Sequence, residues 1–174
     1  MYPDFNMREF YGFDNFGFRG DFNYQNTNQQ NTYNSEIISF NQAIDLIMQS
    51  VSGEKEDEIF YDILIKQAPT EKEKNIITSI RNDERKHNKI LRDLYYSFTG
   101  NILPQDMSIP KIQTDLSYQE NLEKALFGEL DAVVRYRRIL GTMPSGNSYT
   151  LLMSIMTEEL RHASKYNFLI HSAK

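Results

Sequence analysis

The chain carries the same Glu-x-x-His pattern twice, 75 residues apart, as Glu84-Arg85-Lys86-His87 and Glu159-Leu160-Arg161-His162. In a helix, residues three positions apart lie about 60° apart, so each glutamate shares one face with its histidine. Apolar residues recur at three- and four-residue spacing in both regions, which is typical of amphipathic helices. We therefore predict two long helices, each presenting a carboxylate and an imidazole on the same side.

The same shift aligns other polar, aromatic and turn residues: Glu54 with Glu129, Tyr61 with Tyr136, and Pro69 with Pro144. Each proline is the midpoint of two glutamates, at 54 and 84 and at 129 and 159. In an antiparallel pair of helices, residues equidistant from the turn lie at one height. We therefore predict a two-fold internal repeat of one helical hairpin, with four carboxylates meeting in a single layer.

Caps, glycines and prolines set the predicted boundaries. An apolar stripe opens helix 1 at about Glu36, formed by Ile37, Phe40, Ile44, Ile47, Met48 and Val51, and Pro69 ends the helix at about Ala68. Capping boxes at 70–73 and 117–120 open helices 2 and 3, and helix 4 covers roughly 147–172. The connection 99–116 is long, whereas the turn 141–146 is short. The predicted fold class is all-α, a four-helix bundle with one long crossover between helices 2 and 3.

Composition separates residues 1–35 from the predicted bundle at 36–174. The first segment contains no Val, Ile or Leu but ten of the 22 aromatic residues, among Asn, Gln and Gly. This composition predicts a disordered tail. A passive solvated arm and a docking or self-associating segment are both compatible with it.

The charge balance and residue types exclude several classes of protein. A net charge of −5 disfavours nucleic acid and anionic membranes as partners. The absence of Cys excludes disulfides and thiolate-ligated metals. No apolar run is long enough to span a bilayer, and the N-terminus does not have the pattern of a secretory signal, so we expect a cytoplasmic protein.

Four carboxylates in a bundle core need compensating charge, which two divalent cations supply. In this interpretation two carboxylates bridge the cations, one carboxylate is terminal on each, and one imidazole completes each. The predicted metal ligands are Glu54, Glu84, His87, Glu129, Glu159 and His162. Oxygen and nitrogen ligands suit two Fe ions, or alternatively Mn.

Other polar residues near this layer receive different interpretations. Tyr61 and Tyr136 are the catalytic candidates, as phenols hydrogen-bonded to ligand carboxylates, but ordinary core aromatics are an equal alternative. Glu58 is interpreted as a solvated residue or a hydrogen-bonding neighbour of a ligand rather than a seventh ligand. His171 is predicted to face away from the site, and three acids are assigned to solvated faces: Glu56, Glu123 and Glu158.

Four segments, at 52–61, 82–87, 128–136 and 158–162, resemble the ferritin-like superfamily, and most closely its rubrerythrin-like proteins. The resemblance covers about residues 36–173. It implies metal ligation by the six residues, with Tyr61 and Tyr136 hydrogen-bonded to ligands, and oxidation of Fe(II) by peroxide or dioxygen. Rubrerythrins add a glutamate where this chain has Ala132, so the site is more similar to the symmetric set of bacterioferritins. Rubrerythrins also carry a Cys-ligated domain, so here electrons must come from an external donor or from Fe(II) itself.

The leading prediction is an oxidoreductase that reduces peroxide or oxygen at a di-iron or di-manganese centre, acting as a homodimer. Iron storage is one alternative, although only 12 residues follow His162, which leaves no room for a helix lining a cage. A manganese catalase has the same ligand types. A structural, coat-type scaffold is the third alternative, suggested by the aromatic segment.

Overall fold

A computed structural model describes residues 37–105 and 114–172. Within these ranges the chain forms four α-helices and no strand: α1, Phe40–Gln67; α2, Glu71–Thr99; α3, Tyr118–Leu140; and α4, Asn147–Ser172. The predicted all-α four-helix bundle is confirmed. The prediction for residues 1–35 concerns a segment outside the described residues.

Helix α1 begins later than predicted because Ser39 caps it. The Ser39 hydroxyl accepts a hydrogen bond from the Gln42 backbone, and the Gln42 side chain accepts one from the Ser39 backbone. This reciprocal pair satisfies two donors at the helix start. Ile37 therefore precedes the helix and is 75% exposed, so its assignment to the apolar stripe was wrong.

The other boundaries follow local chemistry. Ala68 is extended, as expected before Pro69, and ends α1. Thr70 caps α2, but the predicted box is incomplete because Glu73 is buried and does not reciprocate. Ser117 and Glu120 form the complete predicted box at α3. Gly100 ends α2 with a φ of 71°, a left-handed conformation that favours glycine.

The packing of the helices confirms the crossover. Helix α1 packs on α2 and α3 on α4, while α1 also lies beside α3 and α2 beside α4. In a simple up-down-up-down bundle the consecutive helices α2 and α3 would be neighbours instead. Two hydrogen bonds between α1 and α3 set their direction, because Tyr61 reaches Glu129 whereas Glu54, earlier in α1, is reached by Tyr136, later in α3. The two helices are therefore antiparallel.

The apolar core consists of two clusters, one on each side of the glutamate layer. One includes Ala43, Ile47, Val51, Leu91, Leu94, Ile139, Leu152 and Ile155. The other, nearer the Pro69 turn, includes Phe60, Leu64, Ile77, Ile80, Leu122 and Leu169. Water is thus excluded from both ends of the polar layer. Among the described helices, none combines the length and the apolar character needed to cross a membrane.

Candidate metal centre

The six sequence-predicted residues meet in the middle of the bundle. Each helix contributes at one height, and each of the six side chains is at most 2% exposed: Glu54 from α1, Glu84 and His87 from α2, Glu129 from α3, and Glu159 and His162 from α4. Burial of this many ionisable groups is costly unless their charges are compensated. The bundle therefore carries a buried Glu/His cluster.

Glu84 and Glu159 occupy the centre of this cluster. Glu84 places Oε2 3.0 Å from His87 Nδ1 and Oε1 3.1 Å from His162 Nδ1. Glu159 does the same, with Oε1 3.1 Å from His87 Nδ1 and Oε2 3.5 Å from His162 Nδ1. Each central carboxylate thus divides its two oxygens between the two imidazoles, which is the arrangement a bridging ligand requires.

Glu54 and Glu129 flank the centre. Glu54 Oε2 lies 3.5 Å from His87 Nδ1, and Glu129 Oε2 lies 3.5 Å from His162 Nδ1. Two ligand sets result, each with its atoms within 4.8 Å of one another: Glu54, Glu84, His87 and Glu159; and Glu84, Glu129, Glu159 and His162. The sets share the two central glutamates, so the geometry fits two adjacent cations.

Unsatisfied atoms inside the cluster support this fit. Four buried atoms make no hydrogen bond of acceptable geometry, although each lies within 3.5 Å of an imidazole or carboxylate atom of the cluster: Glu54 Oε2, Glu84 Oε1, Glu159 Oε1 and His162 Nδ1. Buried polar atoms are normally satisfied, and leaving one unpaired costs about 1–3 kcal/mol. Coordination to cations would satisfy all four atoms at once, so the donor set and its unpaired atoms fit a di-metal site.

Two tyrosines fix the flanking carboxylates. The Tyr61 hydroxyl donates a hydrogen bond to Glu129 Oε1 at 2.6 Å, and the Tyr136 hydroxyl donates to Glu54 Oε1. In both cases the other glutamate oxygen, Oε2, faces the histidine. The phenols thus orient the carboxylates rather than merely filling the core, which matches the functional interpretation of these residues.

The sequence interpretation missed two acids on the outer side of the histidines. His87 donates from Nε2 to Glu158 at 2.7 Å, and His162 donates from Nε2 to Asp83 at 3.3 Å. The assignment of Glu158 to a solvated face was therefore wrong. A signal was present, since Asp83 and Glu158 are also 75 residues apart and each directly precedes a central glutamate.

Metal-bound histidines commonly donate their second ring nitrogen to a carboxylate, which fixes the tautomer and the ring orientation. Here both rings follow that pattern, with Nδ1 inward and Nε2 outward. The centroids of the two imidazole rings are 5.8 Å apart, and the ring planes are inclined to each other by 30°. The exposed Arg161 side chain forms ion pairs with both outer carboxylates, Asp83 and Glu158.

In the metal-free protein the cluster retains protons. Burial opposes charge on His162, but its interactions with the carboxylates of Glu129 and Glu159, each 3.5 Å from Nδ1, outweigh burial and raise its pKa to about 9. The pKa of Glu84 is raised well above its ordinary value, first by burial and then by the charge of Glu54. Burial also raises the pKa of Glu159. In Glu54 burial is outweighed by hydrogen bonds from His87, Glu84 and Tyr136, which lower the pKa.

The residues that were not predicted as ligands lie elsewhere. Glu58 pairs with Lys55 and Arg85, at 2.6 and 2.7 Å, on the surface of the first hairpin. His171 is exposed as predicted, and its ring bonds the Asn167 carbonyl. Glu123 is exposed, whereas Glu56 is half-buried. The structure therefore brings together the six predicted ligands and none of these acids.

Comparison with known proteins gives one family. Residues 45–117 match the family described as Rubrerythrin, and this range contains Glu54, Glu84 and His87. No curated protein matches the chain. The family match, in a chain whose described residues form a four-helix bundle, confirms the resemblance to the ferritin-like, rubrerythrin-like superfamily.

Proposed function

We propose that this rubrerythrin-like bundle holds two metal ions and couples the oxidation of Fe(II) to the reduction of hydrogen peroxide or dioxygen. The observation that carries the proposal is the pair of ligand sets that share Glu84 and Glu159. A single-metal or purely structural site has no need for two carboxylates that each face two imidazoles. The Rubrerythrin match supports the same class of centre.

The chain's own residues would prepare the centre in three ways. Glu84 and Glu159 would bridge, Glu54 and Glu129 would be terminal, and His87 and His162 would each complete one ion. When bound, an Fe(II) pair supplies two electrons which, with two protons, cleave the O–O bond of hydrogen peroxide and yield two waters. Tyr61 and Tyr136 keep the terminal carboxylates in place, so the coordination geometry is preorganised.

The surroundings of the cluster favour a small oxidant. The ligands are buried between two apolar clusters, so bulky substrates are excluded from direct contact. The sequence contains no Cys, so we propose that reduction of the oxidised pair depends on an external donor or on further Fe(II). Oxygen and nitrogen ligands also suit manganese, which makes a peroxide-dismutating centre the second candidate.

Substitution of a central ligand tests the proposal. Wild type should bind two Fe per chain and oxidise them on addition of peroxide, measured by metal analysis and anaerobic stopped-flow absorbance. Glu84→Ala should abolish the coupled oxidation, since it removes an oxygen from each metal position. Tyr61→Phe should retain the metals and slow the reaction by about 10–100-fold. His171→Ala serves as the matched surface control and should match wild type.

Three outcomes would count against the proposal. Equal rates in wild type and Glu84→Ala would assign the oxidation to iron bound elsewhere on the surface. An iron-loaded wild type that does not react with peroxide would favour storage or a scaffold. Rapid peroxide dismutation with manganese alone would favour a catalase.

A further inference from the structure

A cleft between α1 and α3 opens at the protein surface and has Tyr61 in its lining. Its lining includes Asp57, Phe60 and Tyr61 from α1 and Lys124, Gly128 and Asp131 from α3, around a volume of about 460 Å³. Tyr61 is the residue that donates to Glu129, so the inner wall of the cleft is in hydrogen-bond contact with the cluster. This volume exceeds by far the roughly 30 Å³ that a water-sized molecule occupies in a liquid.

The internal repeat gives the cluster two sides that are equivalent in sequence, and only one of them is open. Gly128 and Gly53 are equivalent under the 75-residue shift, and each precedes a flanking glutamate. A side-chain carbon at Gly128 would meet nothing within 4 Å, whereas at Gly53 it would meet Arg135 Nη2 at 3.9 Å. Arg135 also lies over the Tyr136 ring, with its guanidinium carbon 5.6 Å from the ring centroid. Arg135 thus covers the Gly53 side of the cluster, whereas the Gly128 side is open.

The open side also carries an acid that the covered side lacks. Asp57 lies one turn after Glu54 and one turn before Tyr61, and its equivalent in the second hairpin is Ala132. The Asp57 side chain is half-buried in the lining of the cleft. Its position places a proton-carrying group between the surface and the hydrogen-bonded pair of Tyr61 and Glu129.

The charges around Asp57 favour its protonated form. Burial raises its pKa first, the negative charges of Glu54 and Glu129 raise it further, and the sum exceeds the opposing effect of Arg135, so the pKa is about 8. Glu56 on α1 adds a further negative charge. Lys124 and Asp131 line the α3 side with opposite charges, and the Lys124 ammonium lies 4.8 Å from the centroid of the Phe60 ring. In the metal-free protein Asp57 is therefore protonated at neutral pH.

We propose that the α1–α3 cleft is the entrance through which a small neutral oxidant reaches the cluster, and that Asp57 delivers a proton there. The inference rests on the proposed function, because reduction of peroxide to two waters consumes two protons. A carboxyl group placed near the reacting atoms, directly or through one water, is a common proton donor in catalysis. Asp57 is such a group in the lining of the route of entry.

The entrance is tested with a probe that does not depend on turnover. Nitric oxide, a neutral diatomic, is added anaerobically to the Fe(II)-loaded protein, and its binding is followed by stopped-flow absorbance. Gly128→Leu fills the cleft and should slow binding severalfold without changing the iron content. Gly128→Ala raises the helix propensity by a similar amount but adds a smaller side chain, so it should slow nitric oxide binding less than Gly128→Leu does. Val134→Leu, at an exposed position of α3 outside the cleft, should match wild type.

The proton role is tested separately by the pH profile of peroxide-dependent Fe(II) oxidation. Asp57→Asn should lower the rate near neutral pH by about 10²-fold and flatten the pH profile, since it removes an ionisable group from the lining of the cleft. Asp57→Glu should restore most of the rate. Asp45→Asn, an exposed acid on the same helix, is the control. Metal content should be equal in all four proteins.

The outcomes distinguish the two claims. Unchanged nitric oxide binding in Gly128→Leu would overturn the entrance, and a wild-type profile in Asp57→Asn would overturn the proton role. If nitric oxide binds as expected but peroxide does not react, the entrance stands while both the proposed function and the proton role fail. If wild type does not bind nitric oxide, both the entrance and the iron centre are wrong.

Discussion

The orientation of the two histidine rings is the most informative feature at the scale of single residues. Each ring presents Nδ1 to the cluster and Nε2 to an acid on the neighbouring hairpin, so His87 of α2 bonds Glu158 of α4 and His162 of α4 bonds Asp83 of α2. These crossed bonds fix both rings before any cation binds. They also connect the hairpins at the height of the Glu/His cluster.

Removing an outer acid should weaken metal binding without removing a ligand. Glu158→Gln and Asp83→Asn each replace a charged acceptor of an imidazole N–H by a neutral amide, which lowers the basicity of the ring and loosens its orientation. We expect about 10–100-fold weaker affinity for Mn(II), measured by competition with a chelator. Glu123→Gln, an exposed acid on α3, should leave the affinity unchanged. Wild-type affinity in both outer variants would assign these acids to surface ion pairing with Arg161 and Lys86 only.

Among the helices, the starts of α1, α2 and α3 are capped by residues of their own sequence. Ser39 and Ser117 form complete capping boxes, and Thr70 caps α2 through a single hydrogen bond. These local bonds set where each helix begins, and hence the height at which its glutamate lies in the bundle. The caps are distant from the cluster, so their effect on stability is separable from metal binding.

The cap of α3 provides a test of this separation. Ser117→Ala removes the acceptor for the Glu120 backbone and the donor to its side chain, so the free energy of unfolding should fall by about 1 kcal/mol. Urea denaturation of the metal-free protein measures the change. Ser154→Ala, at an exposed position within α4, should show no comparable loss. A loss of metal content in Ser117→Ala would show instead that the start of α3 controls the position of Glu129.

In the bundle taken as a whole, a layer of ionisable residues lies between two apolar cores. Without cations the cluster is stabilised by protons shared among carboxylates and imidazoles, as the raised pKa values of His162, Glu84 and Glu159 indicate. With cations bound, those protons must leave, because metal ligands bind in their deprotonated forms. Proton and metal therefore compete for one site.

This competition predicts opposite pH dependences for the two forms. The folded-state pKa of His162, about 9, lies above its ordinary value, so its contribution to stability is present below about pH 6.5 and is lost as pH rises through about 9. The raised pKa values of Glu84 and Glu159 likewise make the stability of the fold decrease as pH rises. Glu54 has a lowered pKa, so its contribution to stability is lost only at acidic pH. The melting temperature of the metal-free protein should therefore fall from about pH 6.5 to about pH 9.

The stability of the metal-loaded protein relative to the metal-free protein should increase over the same pH interval. Deprotonation of the ligands removes the competitor, so the difference in melting temperature between the loaded and metal-free proteins should widen as pH rises. Calorimetry of both forms across the range measures it. A difference that narrows with rising pH would contradict ligation by these imidazoles and carboxylates.

Residue spacing along the chain predicts the four helices, the hairpin symmetry and the meeting of six ionisable residues, because each follows from the geometry of a helix. A period of 3.6 residues places Glu84 and His87 on one face, and a proline midpoint sets Glu54 and Glu84 at one height. The apolar pattern predicts the start of α1 less accurately, because it continues through Ile37 whereas the Ser39 cap begins the helix at Phe40.

The packing of the helices, which residue spacing does not predict, sets which oxygen faces which nitrogen, which acids lie behind the histidines, and which side of the cluster is open. These features depend on contacts between helices distant in sequence, such as Asp83 with His162 and Arg135 beside Gly53. The repeat makes the two hairpins look equivalent, yet Asp57 has Ala132 as its counterpart and Gly128 has open space where Gly53 has Arg135. Helical spacing fixes the direction in which a side chain leaves its own helix, but the partner it meets is set by how the helices pack.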